Sequence, residues 1–468
     1  MNRRKFLSAV AVSSATFVIP GCFTQKSGQK PNLIFILADD LGYEDLSCFN
    51  SKMINTPHID QLAASGMKFT HFYSASAVCS PTRASCLTGR YPLRFSITRH
   101  FTDHEEHLPR GTVTLPKMLQ QAGYRTAHIG KWHLGGLNKK HCENREASIP
   151  GPNQHGFDEY VCMYEDPAIR APLLQARRLY REGAKYLVSN DKALPPIQQH
   201  WTEYKVERSR QFIVEAVQAK QPFFLNLWFD APHTPYEPAP EPYLNPYKKR
   251  AKGDDLWYRS MVAQMDNGIG KIISKLKQLK IEQNTFIIFT SDNGPSHQGC
   301  PGPWTGGKAD LHEGGIRVPM IAGWPGTIKS ESVTTDVAHT NDLLPTFVAA
   351  AGLTLPPDLE IDGINLFPAL SGKGKIPAER TLFWQLDLYE WYPQPGPKPK
   401  PFATEIARQG KWKLLAANGT PLALFNMEED PYERRNLIEV WPERAHELTQ
   451  SLNQWLNEPR QKWENQTE

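Results

Sequence analysis

Beyond its first thirty residues the sequence has no apolar stretch long enough to span a bilayer, which excludes an integral membrane protein. A charge imbalance is also missing, since 53 Lys and Arg against 49 Asp and Glu leave a formal +4 over 468 residues. That is too weak to argue for nucleic acid, yet it does not repel an anionic substrate. Cysteines are few and scattered: Cys22, Cys48, Cys79, Cys86, Cys142, Cys162 and Cys300 make neither a zinc module nor a dense disulfide scaffold. With Cys22 and Cys79 set aside five remain, so at least one thiol stays unpaired in an oxidising compartment. Repeats and low-complexity blocks are absent. Proline and glycine, by contrast, are plentiful at 39 and 32, which announces many loops. The length exceeds what one hydrophobic core usually holds, so one large domain and a smaller one are expected.

Residues 1–29 read as an export signal and are excluded from the fold. Arg3, Arg4 and Lys5 precede a short apolar stretch over 6–20, and Asn2-Arg3-Arg4-Lys5-Phe6-Leu7 resembles a twin-arginine signal with Asn2 where Ser or Thr is usual. Ile19-Pro20-Gly21-Cys22 resembles a lipoprotein box in which Pro20 fits poorly, so lipid attachment at Cys22 competes with simple cleavage nearby. The expectation is export to the periplasm or cell surface by the export machinery, with the membrane reached only through that lipid.

After the signal, strand-like and helix-like segments alternate in the manner of an α/β domain with a large, mostly parallel central sheet flanked by helices. Leu33-Ile34-Phe35-Ile36-Leu37 is apolar without alternation, the pattern of a strand buried on both faces. Thr56 as cap and Pro57 in the first turn open a helix through Leu62 with Gly66 as its stop. A second helix over 114–122 stops at Gly123, and 124–129 follows as a strand. Residues 223–229 and 286–290 are further strand-like runs, and 256–279 between them carries Met261, Met265, Ile269, Ile272 and Leu276 at helical spacing. The larger domain is placed at 30–375. Residues 376–468 are expected to form a C-terminal α+β subdomain with a short antiparallel sheet, using 411–415 and 422–425 as strands and 445–456 as a closing helix.

The residues just past the end of each strand carry the chemistry. The first strand runs into Asp39-Asp40, the second into Lys131-Trp132-His133, the third into Pro232-His233 and the fourth into Ser291-Asp292-Asn293-Gly294. Ligands of open parallel sheets bind beyond the carboxyl ends of the strands, so these clusters should share one crevice. Asp39, Asp40, Asp292 and Asn293 offer the hard oxygen donors that calcium or magnesium prefers. Each acid pair alone also reads as helix capping, and each basic pair as turn or surface chemistry; their joint position favours a site. Cys79-Ser80-Pro81-Thr82-Arg83 has a helix-start layout, with Ser80 as candidate cap and Pro81 in the first turn. There backbone N–H groups, the helix dipole and Arg83 favour an anion beside Cys79. By itself such a cysteine reads equally well as buried or disulfide-bonded.

At this motif a family becomes recognisable. Cys79-Ser80-Pro81-Thr82-Arg83-Ala84-Ser85-Cys86-Leu87-Thr88-Gly89-Arg90 resembles the signature of the sulfatases, calcium-binding, arylsulfatase-like members of the alkaline phosphatase superfamily. The resemblance extends over 31–46, 130–135, 155–158, 231–235, 291–294 and 306–319, and over 411–415 and 424–437 in the C-terminal subdomain. Thr82 replaces the more frequent serine and Cys86 an aliphatic residue. The resemblance implies that a formylglycine-generating maturation system oxidises Cys79 to formylglycine, whose hydrated aldehyde attacks sulfur and forms a covalent sulfo-enzyme. It implies Asp39, Asp40, Asp292 and Asn293 as ligands of one calcium ion that also meets the modified Cys79. Arg83 and Lys131 would hold the formylglycine hydroxyls, His133 would be the base of the elimination step, and His233 and Lys308 would meet the sulfate and the bridging oxygen, one of them donating a proton.

Two alternatives stand beside this reading. A phosphatase or phosphodiesterase of the same superfamily would place a Ser or Thr nucleophile by two zinc ions and often carry Asp-His-Gly where this chain has Asp292-Asn293-Gly294; the asparagine oxygen favours calcium. A non-catalytic glycan-binding lipoprotein would lack the cysteine, an acid or a basic partner, and none is missing. The substrate expected is a sulfated carbohydrate or another sulfate ester. Residues 136–205 and 384–402, with Tyr389, Trp391 and Tyr392, are candidate rims, since aromatic faces suit sugar rings; ordinary packing between the domains is the competing account.

Overall fold

The computed structural model describes residues 30–102, 106–145, 149–165, 186–390 and 402–461. The export signal and Cys22 lie outside the described residues, as do Trp391 and Tyr392. Among the described residues no helix is long and apolar enough to cross a membrane.

The strands in chain order are β1 (Asn32–Ala38), β2 (Gly66–Tyr73), β3 (Arg125–Gly130), β4 (Glu159–Met163), β5 (Leu187–Ser189), β6 (Lys192–Ala193), β7 (Phe223–Trp228) and β8 (Thr285–Ser291). They continue with β9 (Arg317–Gly323), β10 (Ser332–Thr334), β11 (Ala338–His339), β12 (Thr381–Gln385), β13 (Glu405–Gln409), β14 (Trp412–Ala417) and β15 (Thr420–Asn426). The large sheet runs β10-β2-β9-β8-β1-β7-β3-β4-β5-β6, with β11 also on β2. Its central strands β8, β1, β7 and β3 are all parallel, while β9 joins β2 and β8 antiparallel.

The apolar run of β1 is continuous because both its faces are covered. Leu33, Phe35 and Leu37 enter one core with Leu87, Leu119 and Phe347, from helices Cys79–Thr88, Leu115–Gln121 and Leu343–Ala350. Ile34, Ile36 and Ala38 enter the other with Leu62, Phe212, Met265 and Ile269, from Pro57–Ala64, Trp201–Gln218 and Gly253–Gln278. The expected mostly parallel α/β sheet is thus present.

β12 to β15 form a separate antiparallel sheet in that order. Helix Pro442–Leu456 covers it with Ala445, Leu448, Leu452 and Trp455, one stripe at helical spacing. Its other face packs on Tyr73, Ala77, Val78, Ala309 and Leu311. At that seam Lys413 lies 3.0 Å from Glu313 Oε1 and 2.7 Å from Glu433 Oε1, all three side chains fully enclosed. Burial opposes ionisation of Glu313, but Lys413, Arg408 and Arg317 hold it down to about 2. Its folded pKa lies below the unfolded value near 4.5, so the stability it contributes is full above that pH and fades as pH falls towards 2. Glu313→Gln should therefore lower stability by about 1–3 kcal/mol at neutral pH, the worth of charged hydrogen bonds. Thermal unfolding across the acid range should show that difference closing.

Candidate active site

Register brings the strand ends together. Ala38 pairs with Ser291, Leu37 with Trp228 and Gly130 with Trp228, so β8, β1, β7 and β3 end at one level. Asp292 leaves beside Asp39, and Lys131 leaves two strands from Asp39, which its side chain reaches. Gly130 is required for this turn: its φ is +118° and an added Cβ would stand 1.7 Å from the Trp228 carbonyl oxygen.

Helix Cys79–Thr88 points its first turn at the same spot. Val78 occupies the N-cap position and Cys79 is the first helical residue. Ser80, expected as the cap, instead lies inside the helix, where its Oγ accepts a hydrogen bond from the Phe101 N–H at 3.0 Å. The extended backbone at Val78 starts the helix two residues earlier than Ser80 capping would allow. Cys79 Sγ stands 3.5 Å from Lys131 Nζ and 3.7 Å from Asp39 Oδ1. Burial raises its thiol, but Lys131 and Lys308 bring it down to about 6. Position 79 thus favours negative charge on its side chain.

The remaining residues interlock around it. Lys131 Nζ donates to Asp39 Oδ2 at 2.6 Å. Arg83 Nη2 donates to Asp292 Oδ2 at 2.6 Å, its Nη1 to the Lys131 carbonyl at 3.1 Å, and its guanidinium lies 5.1 Å over the Trp228 ring. Asp292 Oδ1 accepts from the Asp40 N–H at 3.2 Å, and Asn293 Nδ2 donates to Asp40 Oδ1 at 2.7 Å. Lys308 Nζ donates to Asp40 Oδ2 at 2.8 Å and to His233 Nε2 at 2.9 Å. His233 Nδ1 donates to the Thr234 carbonyl, which leaves Nε2 as the acceptor in the neutral ring. Asp39, Asp40, Arg83, Lys131 and Asp292 are sealed from solvent, whereas His233 retains 26% and Lys308 11% side-chain exposure. Of these residues, His233 and Lys308 are the ones that reach solvent.

His133 stands at the edge of the cluster. Its Nε2 donates to the Phe101 carbonyl at 2.9 Å and its N–H to Glu165 at 2.6 Å, at a φ of +55°. The same wall carries a residue that sequence reasoning missed, His100. Burial, with Lys308, His133 and Lys131 adding to it, pushes its imidazole down to about 3 against the pull of Cys79. It packs 5.3 Å from Tyr389, whose hydroxyl donates to the His100 carbonyl at 3.1 Å. Tyr389 thus packs against the His100 segment. Trp384, in the stretch expected to form a rim, is instead buried between the sheets, donating to the Ser74 carbonyl at 2.7 Å.

The acids suit a hard cation. Asp39, Asp40, Cys79 and His233 offer ligand atoms within 4.8 Å of one another, and Asn293 Oδ1 is buried without a hydrogen-bond donor among the described residues. Burial and then Asp39 push the Asp292 carboxyl well above the usual range despite Arg83. Carboxylates crowded this way are relieved by a positive ion among them.

Comparison with known proteins agrees with this arrangement. The family model described as Sulfatase matches residues 31–353, and that described as N-sulphoglucosamine sulphohydrolase, C-terminal, matches 307–462. The chain is 36% identical over 376 residues to N-acetylgalactosamine-6-sulfatase of Canis lupus familiaris, covering 76% of this chain and 68% of the relative. It is 32% identical to arylsulfatase A of Bos taurus over 91% of this chain and 86% of the relative. Its structure is similar to Ps i-CgsB in complex with k-i-k-neocarrahexaose, with a TM-score of 0.78, 30% identity and coverage of 94% of this chain and 96% of that one. The chain belongs to the sulfatase family and is a sulfuric ester hydrolase.

Proposed function

We propose that this protein removes sulfate from a sulfated carbohydrate, with formylglycine made from Cys79 as the nucleophile and one calcium ion at the carboxylate cluster. The observation that carries the reading is the position of Cys79 Sγ, at the start of a helix, between Lys131 and Asp39. Sγ stands where a hydroxyl of the hydrated aldehyde would be. That hydroxyl attacks sulfur to give the covalent sulfo-enzyme, and its geminal partner then expels sulfate. Lys131 and Arg83 hold the hydroxyls and stabilise charge developing on them, and His133 takes the proton in the elimination step. Lys308 and His233, hydrogen-bonded to each other on the open side, deliver the proton that the departing sugar oxygen needs.

Asp39, Asp40, Asp292 and Asn293 would hold the calcium ion. Bound there, it supplies Lewis acidity and orients a sulfate oxygen. Three carboxylates face Arg83, Lys131 and Lys308, so the side chains alone are nearly neutral, and a divalent ion adds the positive excess an anionic ester needs. Dialysis against a chelator should abolish most sulfate release and lower the thermal midpoint. Calcium at a hundred times its dissociation constant should restore about 2.7 kcal/mol of stability.

The names of the similar mammalian enzymes and the neocarrahexaose in a similar structure support a carbohydrate. Export to the periplasm or cell surface, with Cys22 as a candidate lipid site, belongs to the same proposal and rests on residues 1–29. Purified protein assayed against sulfated oligosaccharides and matched phosphate esters tests the function. Sulfate release should dominate; equal or faster phosphate release would overturn it.

A further inference from the structure

We propose that Lys413, on β14 of the small sheet, is a positioning residue for Lys308, clamping the loop that carries Lys308 into the active site. The inference rests on the sulfatase reading and adds a role for the C-terminal part of the chain.

Lys308 lies in a segment over residues 305–316, a loop closed by the short helix Glu313–Ile316, that is pinned on three sides. Towards the nucleophile, the Ala309 N–H donates to the Ala77 carbonyl at 2.8 Å, two residues before Cys79. Towards the acids, the Lys308 N–H donates to the Pro295 carbonyl at 2.9 Å and the Gly294 N–H to the Gly315 carbonyl at 2.8 Å. The approach is close: a Cβ on Gly294 would stand 1.9 Å from the Gly314 oxygen, so the loop has no slack on this side.

The third side is the small sheet. Lys413 Nζ donates to Glu313 Oε1 at 3.0 Å and pairs with Glu433 at 2.7 Å. Glu433 in turn accepts the Glu313 N–H at 2.7 Å, and Tyr73 donates to Glu313 Oε2 at 2.7 Å. At the start of the loop Thr305 Oγ1 donates to the Tyr432 carbonyl at 2.9 Å, and Trp304 stacks on Tyr432. A fully buried lysine between two buried glutamates is costly to desolvate and is weak support for stability alone, so a placement role accounts for it better. The C-terminal family model begins at residue 307, so loop and sheet fall within one matched stretch.

Lys413 touches no reacting atom. Its effect runs through Glu313 to the loop backbone and so to Lys308 Nζ, which must stay within reach of His233 and of the leaving oxygen. As the bond from sulfur to the leaving oxygen breaks and that from sulfur to the nucleophile forms, a proton passes from the Lys308–His233 pair to the departing oxygen. A sugar alkoxide requires that proton; a nitrophenolate leaves as a stabilised anion and does not. Misplacing Lys308 must therefore appear as a dependence on the leaving group.

The test uses the full-length protein with the sulfated monosaccharide that the wild type cleaves best and with 4-nitrophenyl sulfate. Lys413→Met should lower kcat/KM for the sugar on the order of 10²-fold, the scale of an ångström-sized misplacement. The nitrophenyl ester should change by less than about threefold, since its departure bypasses the proton. Lys413→Arg, which keeps the charge, should recover part of the loss. Should Lys413→Met not fold, Thr305→Val at the loop's edge decides by a smaller shift in the same direction. Equal losses on both substrates, or none on either, would overturn the inference. Wild-type protein releasing sulfate from neither would overturn the sulfatase reading and the inference with it.

Discussion

Replacing Cys79 with alanine should lower sulfate release by roughly six orders of magnitude, the scale at which loss of an essential nucleophile acts. The thermal midpoint should barely move. Cys79 is enclosed, but its Sγ makes long polar contacts to Lys131 and Asp39, and those two remain paired with each other at 2.6 Å. Truncation there costs about 1 kcal/mol, the ordinary scale of a point substitution. Cys79→Ser separates attack from expulsion: a serine hydroxyl can still attack sulfur, but it has no geminal partner to release the sulfate. That variant should stall as a sulfated protein, visible in intact mass as one added sulfuryl group.

Arg83→Ala should damage both stability and activity. Arg83 is fully buried, gives its fork to Asp292 and the Lys131 carbonyl, and lies 3.5 Å from Asp39. Without it Asp292 keeps the Asp40 N–H as a donor but loses its cation and faces Asp39, and breaking a buried pair in this way costs about 3–5 kcal/mol. Asp292 is already pushed towards protonation by burial and by Asp39, so the variant should take up a proton there. Activity should fall by about 10²–10³-fold, since one charged donor to the reacting centre is lost. Arg83→Lys should recover charge but not the fork, and hence stability more than rate. Melting curves and sulfate release measured on the same preparations separate the two effects.

The parts of this enzyme that were legible from sequence are those with local signals. The continuous apolar run of β1 and the polar clusters that end β1, β3, β7 and β8 follow directly from strands buried on both faces. β2 was hidden because its burial does not alternate: a bulge between Phe69 and Phe72 shifts register, and Gly66, expected as a helix stop, is also the strand's first residue. β12 and β13 escaped notice for a related reason. Their side chains serve a sheet whose two faces meet different partners, so no single pattern marks them.

The site divides along the same line. Asp39, Asp40, Asp292 and Asn293 sit at strand ends, where position itself is a signal. His100 has no such marker, since it reaches the site only because Phe101 is tied to Ser80 and His133. Lys413 and Glu313 lie a hundred residues apart, and nothing in either neighbourhood announces their pairing. Ser80 shows the limit of local rules: a serine before proline is a sound cap candidate, and tertiary contact with Phe101 assigned it elsewhere.

The measurement that bears most directly on the mechanism is the chemical state of residue 79 in active protein. A peptide spanning Cys79 to Arg83, isolated from enzyme that releases sulfate, should lack an alkylatable thiol and should react with a hydrazide as an aldehyde does. Fully active protein in which residue 79 remains an alkylatable cysteine throughout would contradict it.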